Sequence, residues 1–256
     1  MLTHALLRLP GENLAAGLSA ADGGDPEVER AHEQHQRYCA ALADCGLSLT
    51  VLPADPCFPD GCFVEDTALI TERGAILMRP GAPSRRGEVD VIAAALKGMF
   101  DRIPEIASPN TVDAGDVCEA DGHFLIGLSK RTNESGAMEL ARLLEEHGYR
   151  TTVIDIRDAQ GLLHLKSGLA YLGDGRIVAT SQIPRMPALR PYERIEIPDD
   201  ERYAANCLRV NDAVLIAAGY PKTRQAIEAQ GYAVIPLEMS EFRKLDGGLS
   251  CLSLRW

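Results

Sequence analysis

The sequence predicts an α/β protein, folded as a closed five-bladed α/β propeller in a single domain over residues 1–256. Three observations carry this. First, ALADCGLSLTVLP, LLEEHGYRTTVID and AIEAQGYAVIPLE each run from a helix into an apolar strand. Each does so through a glycine suited to a helix C-terminus: Gly46, Gly148 and Gly231. Second, two weaker copies lie between them, GEVDVIAAALKGMFDRIPEIA and RPYERIEIP, the latter keeping the strand and little of the helix. The closing strands then centre near Val51, Ile106, Val153, Ile195 and Ile235, a regular internal repeat. Third, every closing strand is followed by an alternating apolar stretch. Five like units of strand and helix favour a ring over an open α/β sheet of alternating strands and helices.

In chain order, HALLRLP is the opening strand, and NLAAGLSAADGGDPE is a flexible surface segment rich in Gly, Ala and Asp. A helix and the strand at Val51 follow. The stretches after the closing strands are CFVEDTALIT, NTVDAGDVCEA, LLHLKSGLAYL, YAANCLRV and LSCLSLRW. The first four lead into further strands at GAILMRP, GHFLIGL, GRIVATS and AVLIAAG. The last is expected to pair with HALLRLP, so that the ring hides its edges.

With 46% apolar residues, the 256-residue chain can bury a sizeable core. A formal net charge of −11 argues against a nucleic-acid surface and suits a small cationic substrate. MLTHALLRLP lacks the basic flank and long apolar run of a signal peptide, and no apolar run approaches a membrane span. Seven cysteines without CxxC spacing indicate free thiols and a cytoplasmic location. No glycine-rich loop joins a strand to a helix, so no nucleotide cofactor is expected. His32, His35 and Cys39 share a helix face, but no fourth ligand follows and no metal is expected.

Polar residues at the start of the first strand of each unit form a series: Glu65 and Asp66, Asp113 and Asp116, His164, Asn206, and Cys251. Equivalent positions in a ring converge on its axis. A cysteine, a histidine and several carboxylates would share one pocket, with Gly247 and Gly248 letting backbone and substrate approach closely. Taken singly, Cys251 could be an inert thiol, His164 a core histidine, Glu65 and Asp66 a turn, and Arg85 a solvated charge.

FPDGCFVEDTALI, the SRRGE of Ser84 to Glu88, VDAGD, LSKRTN, HLKSGLAYL and DGGLSCLSLRW resemble the dimethylarginine dimethylaminohydrolase family of guanidine-modifying enzymes. The likeness spans almost the whole chain. It implies a pentein-type propeller, no cofactor, and hydrolysis of methylated arginines to citrulline and an alkylamine. It makes Cys251 the nucleophile and His164 the general acid and base, with Asp113 orienting His164. Asp66, with Asp113, would hold the guanidinium, and Glu65 belongs to the substrate-binding set. Arg85 and Arg131 would clamp the α-carboxylate, while Asp60 and the carbonyls of Leu18 and Leu245 face the α-amino group. The segment around Leu18 becomes a lid, and a homodimer is an allowed assembly. Where a deiminase-like sequence reads HLD, this chain has Lys166, leaving room for N-methyl groups. The family's acid in VEAGD is Glu, whereas Asp113 is one methylene shorter. Action on another arginine-like guanidine, including arginine deimination, and a non-catalytic guanidine-binding role are the alternatives.

Overall fold

The computed structural model describes residues 1–21, 23–100 and 102–256. Among the described residues, the strands form five small sheets. In chain order the elements begin with β1 (His4–Arg8), α1 (Val28–Asp44), β2 (Ser48–Leu52), β3 (Ala68–Thr71), β4 (Gly74–Leu77) and α2 (Glu88–Leu96). Then come β5 (Val117–Ala120), β6 (His123–Leu128), α3 (Glu134–Glu146), β7 (Arg150–Asp155), β8 (Leu169–Gly173), β9 (Arg176–Ala179) and β10 (Glu193–Glu196). The chain ends with β11 (Leu208–Val210), β12 (Ala213–Ala217), α4 (Pro221–Glu228), β13 (Ala233–Leu237), α5 (Ser240–Arg243) and β14 (Leu254–Arg255).

One pattern recurs. A short antiparallel pair is followed by a crossover that returns a third, parallel strand. It appears as β5-β6-β7, β8-β9-β10 and β11-β12-β13. Two of the antiparallel pairs turn at Asp121-Gly122 and Asp174-Gly175, all four residues at positive φ, as a tight hairpin requires. The helices end at Gly46, Gly148 and Gly231 with φ of 92°, 77° and 91°, the left-handed conformation that glycine adopts without a Cβ penalty. The chain ends supply the same pattern jointly: β14 pairs antiparallel with β1, which pairs parallel with β2. The expected pairing of the last stretch with HALLRLP is therefore present.

Two units depart from the pattern. The strand expected near Ile106 is only a bridge, Leu77 to Glu105, held by Leu77 N–H to Pro104 O at 2.8 Å and Ile106 N–H to Leu77 O at 3.0 Å. Pro104 and Pro109 bracket it and cannot donate to a ladder. The unit closed by β10 has the short turn Pro187–Leu189 in place of a helix, as RPYERIEIP suggested.

Apolar clusters fill the space within and between units. The largest holds Tyr38 and Leu42 of α1 together with Leu7, Leu215 and Phe242. The polar series sits slightly outside the strands that the sequence suggested. Its members lie in or beside five short 3-10 segments, Val64–Thr67, Ala114–Asp116, Leu165–Ser167, Asp199–Ala205 and Ser250–Leu252, each leading into β3, β5, β8, β11 or β14. The first turn touches the last and the second, the second touches the third, and the third touches the fourth. Asn206 joins the fourth to the last: Ser250 N–H donates to its Oδ1 at 3.0 Å, and its Nδ2 donates to Ser250 Oγ at 3.1 Å.

Candidate active site

Two adjoining cavities share Cys251, His164 and Asp246 in their walls. One adds Asp60, Asp66, Arg85, Arg131, Leu18 and Leu245; the other adds Glu65, Lys166, Tyr203, Asn206 and Gly248. All ten candidate residues from the sequence thus line one or both cavities or, for Asp113, bond directly to a residue that does.

His164 precedes the turn Leu165–Ser167, and its Nε2 lies 3.0 Å from Asp113 Oδ2. The shorter acid at position 113 therefore reaches the imidazole directly. Its other oxygen accepts Gly81 N–H at 2.7 Å. Burial alone would lower the pKa of His164. Asp66, Asp116 and Asp113 together outweigh burial and push it up to about 9. Gly115 allows this closeness, because a Cβ there would stand 2.8 Å from His164 Nδ1.

Cys251 is partly buried. Burial first, then Glu65 and Asp66, push its thiol up to about 12, so the free protein holds a thiol rather than a thiolate. The preceding glycines admit protein neighbours: a Cβ on Gly247 would meet Phe63 at 2.3 Å, and one on Gly248 would meet Asn206 at 2.5 Å. Both glycines also line the cavities.

Asp66 Oδ1 accepts Gly115 N–H at 2.9 Å, and Oδ2 accepts from Arg85 Nη1 at 2.5 Å. Burial would raise its carboxyl; His164, Arg85 and the Gly115 amide reverse this and bring it to about 2. Arg85 is itself buried. Its Nε bonds to Glu88, and its Nη2 donates to Glu88 Oε2 at 2.9 Å and Phe63 O at 2.8 Å. Of the five guanidinium N–H groups, one on Nη1 is left uncommitted among the described residues. The Arg131 guanidinium makes no hydrogen bond among the described residues, and it lines the cavity.

Glu65 is engaged by protein. Its Oε2 accepts from Ser250 Oγ at 2.7 Å and its Oε1 from Lys166 Nζ at 2.6 Å. Lys166 lines the cavity with its ammonium group turned to Glu65. Leu18 N–H donates to Asp60 Oδ1 at 3.0 Å, Ser19 Oγ to Lys244 O at 2.6 Å, and Ala20 N–H to Asp246 Oδ2 at 2.7 Å. These bonds draw the segment called a lid over residues 244–246; its Asp22 lies outside the described residues. Leu18 and Leu245 both line the cavity.

Among the described residues, Asp66, Asp113 and His164 each present a ligand atom within 4.8 Å of the others. The Arg85 guanidinium against Asp66 opposes a metal cation there. Sequence reasoning did not place Glu88, Lys166 or Asp246 in the site. Lys166 was the most legible of these, two positions after His164.

Arginine deiminase is the family whose model matches the chain, over residues 30–201. The N(G),N(G)-dimethylarginine dimethylaminohydrolase of Pseudomonas aeruginosa is 44% identical over the full length of both chains. The protein of that name from Streptomyces coelicolor is 33% identical over 98% of this chain and 96% of its own. A solved structure of the Pseudomonas aeruginosa enzyme, a cysteine-to-serine mutant complexed with citrulline, superposes with a TM-score of 0.97 at 43% identity over all of both chains. The N-terminal domain of the arginine dihydrolase ArgZ has the same fold, with a TM-score of 0.88 at 18% identity over 98% of this chain and 96% of that one.

Proposed function

The chain belongs to the arginine deiminase family and, within it, to the dimethylarginine dimethylaminohydrolases, and we propose that it hydrolyses N-omega-methylated arginines to citrulline and an alkylamine through a covalent thiouronium. The observation that carries this is the convergence of Cys251, the Asp113-bound His164 and Asp66 on adjoining cavities, in a chain so close to the Pseudomonas aeruginosa enzyme.

The substrate guanidinium enters as a cation beside Asp66 and Asp113, held by charge-assisted hydrogen bonds. Burial and then Glu65 and Asp66 keep Cys251 protonated; the substrate's charge offsets the two acids, so the thiol gives up its proton to solvent and the thiolate attacks the guanidinium carbon. His164, charged at neutral pH, donates its proton to the departing alkylamine as the tetrahedral adduct collapses. The thiouronium remains on Cys251. Neutral His164 then takes a proton from water, whose attack on the same carbon yields citrulline and returns the thiolate. Arg131, with the remaining Nη1–H of Arg85, receives the substrate carboxylate, while Asp60 and the carbonyls of Leu18 and Leu245 receive the α-amino group.

The same reading makes residues 1–256 one domain, a closed five-bladed propeller. The ring of contacts through the five turns and the β1–β14 pairing support it. It also places the protein in the cytoplasm, where seven free thiols stay reduced. A homodimer belongs to the same expectation and is read by sedimentation. The deciding experiment incubates the enzyme with dimethylarginine, measures citrulline and dimethylamine, and traps the adduct for mass spectrometry. Adduct mass on the Cys251 peptide is expected. Absence of citrulline at any pH, or an adduct on another residue, sinks the proposal.

A further inference from the structure

Asp116 is fully buried, lines neither cavity, and takes no step in the chemistry above. Its partners nevertheless lead to three separate parts of the site. Asp116 Oδ1 accepts the N–H of Leu165, the residue after His164, at 2.9 Å. Its Oδ2 accepts from Thr132 Oγ1 at 2.6 Å, and that hydroxyl in turn accepts Asp113 N–H at 3.1 Å. The same Oδ2 accepts from Ser129 Oγ at 2.6 Å, and the serine hydroxyl accepts Arg131 N–H at 2.9 Å and Thr132 N–H at 3.1 Å.

We propose that Asp116 is a positioning residue that holds the acid–base pair His164–Asp113 and the carboxylate-binding Arg131 in one fixed relation. The inference rests on the function proposed above. The donors dictate the chemistry of the group. Both hydroxyls already accept backbone N–H groups, so each must donate to position 116, and Leu165 N–H donates there too. Only an acceptor with two oxygens satisfies all three. An amide would turn an NH2 toward groups that are themselves donating, at a fully buried position away from bulk solvent. Space is equally fixed: a Cβ on Gly127 would stand 3.2 Å from Asp116 Oδ1.

The two arms separate by substitution. Thr132→Val cuts the arm to Asp113, and Ser129→Ala cuts the arm to Arg131, each without changing charge. Outer partners of ligating residues typically alter affinity or activity by about 10–100-fold, and we expect that range here. With dimethylarginine, Thr132→Val should lower kcat about tenfold or more with KM within about threefold. Ser129→Ala should raise KM by a similar factor with kcat held within about threefold. Asp116→Asn should do both, with Thr132→Ser restoring kcat as the conservative control.

Two readouts need no turnover and so stand apart from the proposed reaction. His164 faces the acids Asp66, Asp113 and Asp116. NMR titration of its imidazole should show a lower pKa in Asp116→Asn than in wild type. Calorimetric titration with citrulline should weaken in Ser129→Ala and stay unchanged in Thr132→Val. Wild type that binds citrulline but turns over no methylated arginine would refute the reaction and leave these two readouts to judge Asp116. Equal effects of Ser129→Ala and Thr132→Val on kcat and KM, or their reversal, overturn the proposal. So does an Asp116→Asn enzyme with wild-type constants. If Asp116→Asn does not fold, the split between the other two variants decides.

Discussion

Cys251 and His164 both hold their protons to higher pH than their ordinary pKa values suggest, and this is testable residue by residue. A thiol pushed up to about 12 should react slowly with neutral iodoacetamide near neutral pH and faster as the pH climbs. A cationic haloacetamidine, which brings the missing charge, should label Cys251 readily at the same pH; equal rates for the two reagents would contradict activation by a bound cation. Cys251→Ser should keep citrulline affinity and lose more than about a thousandfold in kcat. His164 titrates near 9 when folded against 6.5 as a free side chain. A raised pKa stabilises the fold fully below about 6.5, and that contribution fades as the pH rises through about 9. The rate of amine departure should fall over the same upper limb, as pH-rate profiles will show. Asp113 and Asp116 illustrate what was legible at this scale. Their place in the repeat marked both as candidates. Which of them bonds to the His164 ring depends on hydroxyls at 129 and 132, and no local pattern reports those.

Short 3-10 segments position the site, and the strands behind them mattered mainly for spacing. That is why the site was readable from the repeat even where an element failed. The segment at Ile106 has apolar residues at strand spacing, but Pro104 and Pro109 remove the donors a ladder needs, and a bridge remains. The two arginines of the expected clamp divide for a comparable reason. Arg85 ends the Pro83–Arg85 turn and meets Glu88 at the start of α2, so most of its donors are spent on protein. Arg131 sits on the loop after β6 with its guanidinium free among the described residues. Arg131→Ala should raise KM for dimethylarginine by about tenfold or more, with little change in melting temperature. Arg85→Ala should also cost stability, on the order of 3–5 kcal/mol, because Asp66 and Glu88 would lose the cation between them. Thermal unfolding beside steady-state kinetics separates the two, and a stable Arg85→Ala enzyme with only a KM defect would contradict the assignment. The lid has its own test. Asp246→Ala removes the acceptor for Ala20 N–H and should raise KM while leaving the melting temperature nearly unchanged.

Across the whole molecule, the repeat made the five units and the pairing of the chain ends legible. The contacts that lock unit to unit were hidden, because they run between turns 40 or more positions apart, such as Asn206 Nδ2 to Lys166 O and Ser250 Oγ to Glu65. Removing Leu254–Trp256 should therefore do more than shorten a strand. It takes away β14 and the Arg255 contact to Glu65, and denaturant titration should show a lower midpoint together with loss of activity. The junction at β1 has a further consequence, in time. Thr3 and His4 N–H bond to Trp256 O at 2.7 and 2.9 Å, so one edge of an early strand pairs with residues translated some 250 positions later. Four units can collapse on the ribosome while that edge of β1 stays open. The nucleophile itself emerges after every other site residue named above. Folding of this chain should then be slow for its size, limited by one very long loop closure. Crowded nascent chains would be most prone to mispair while β1 waits for its last neighbour.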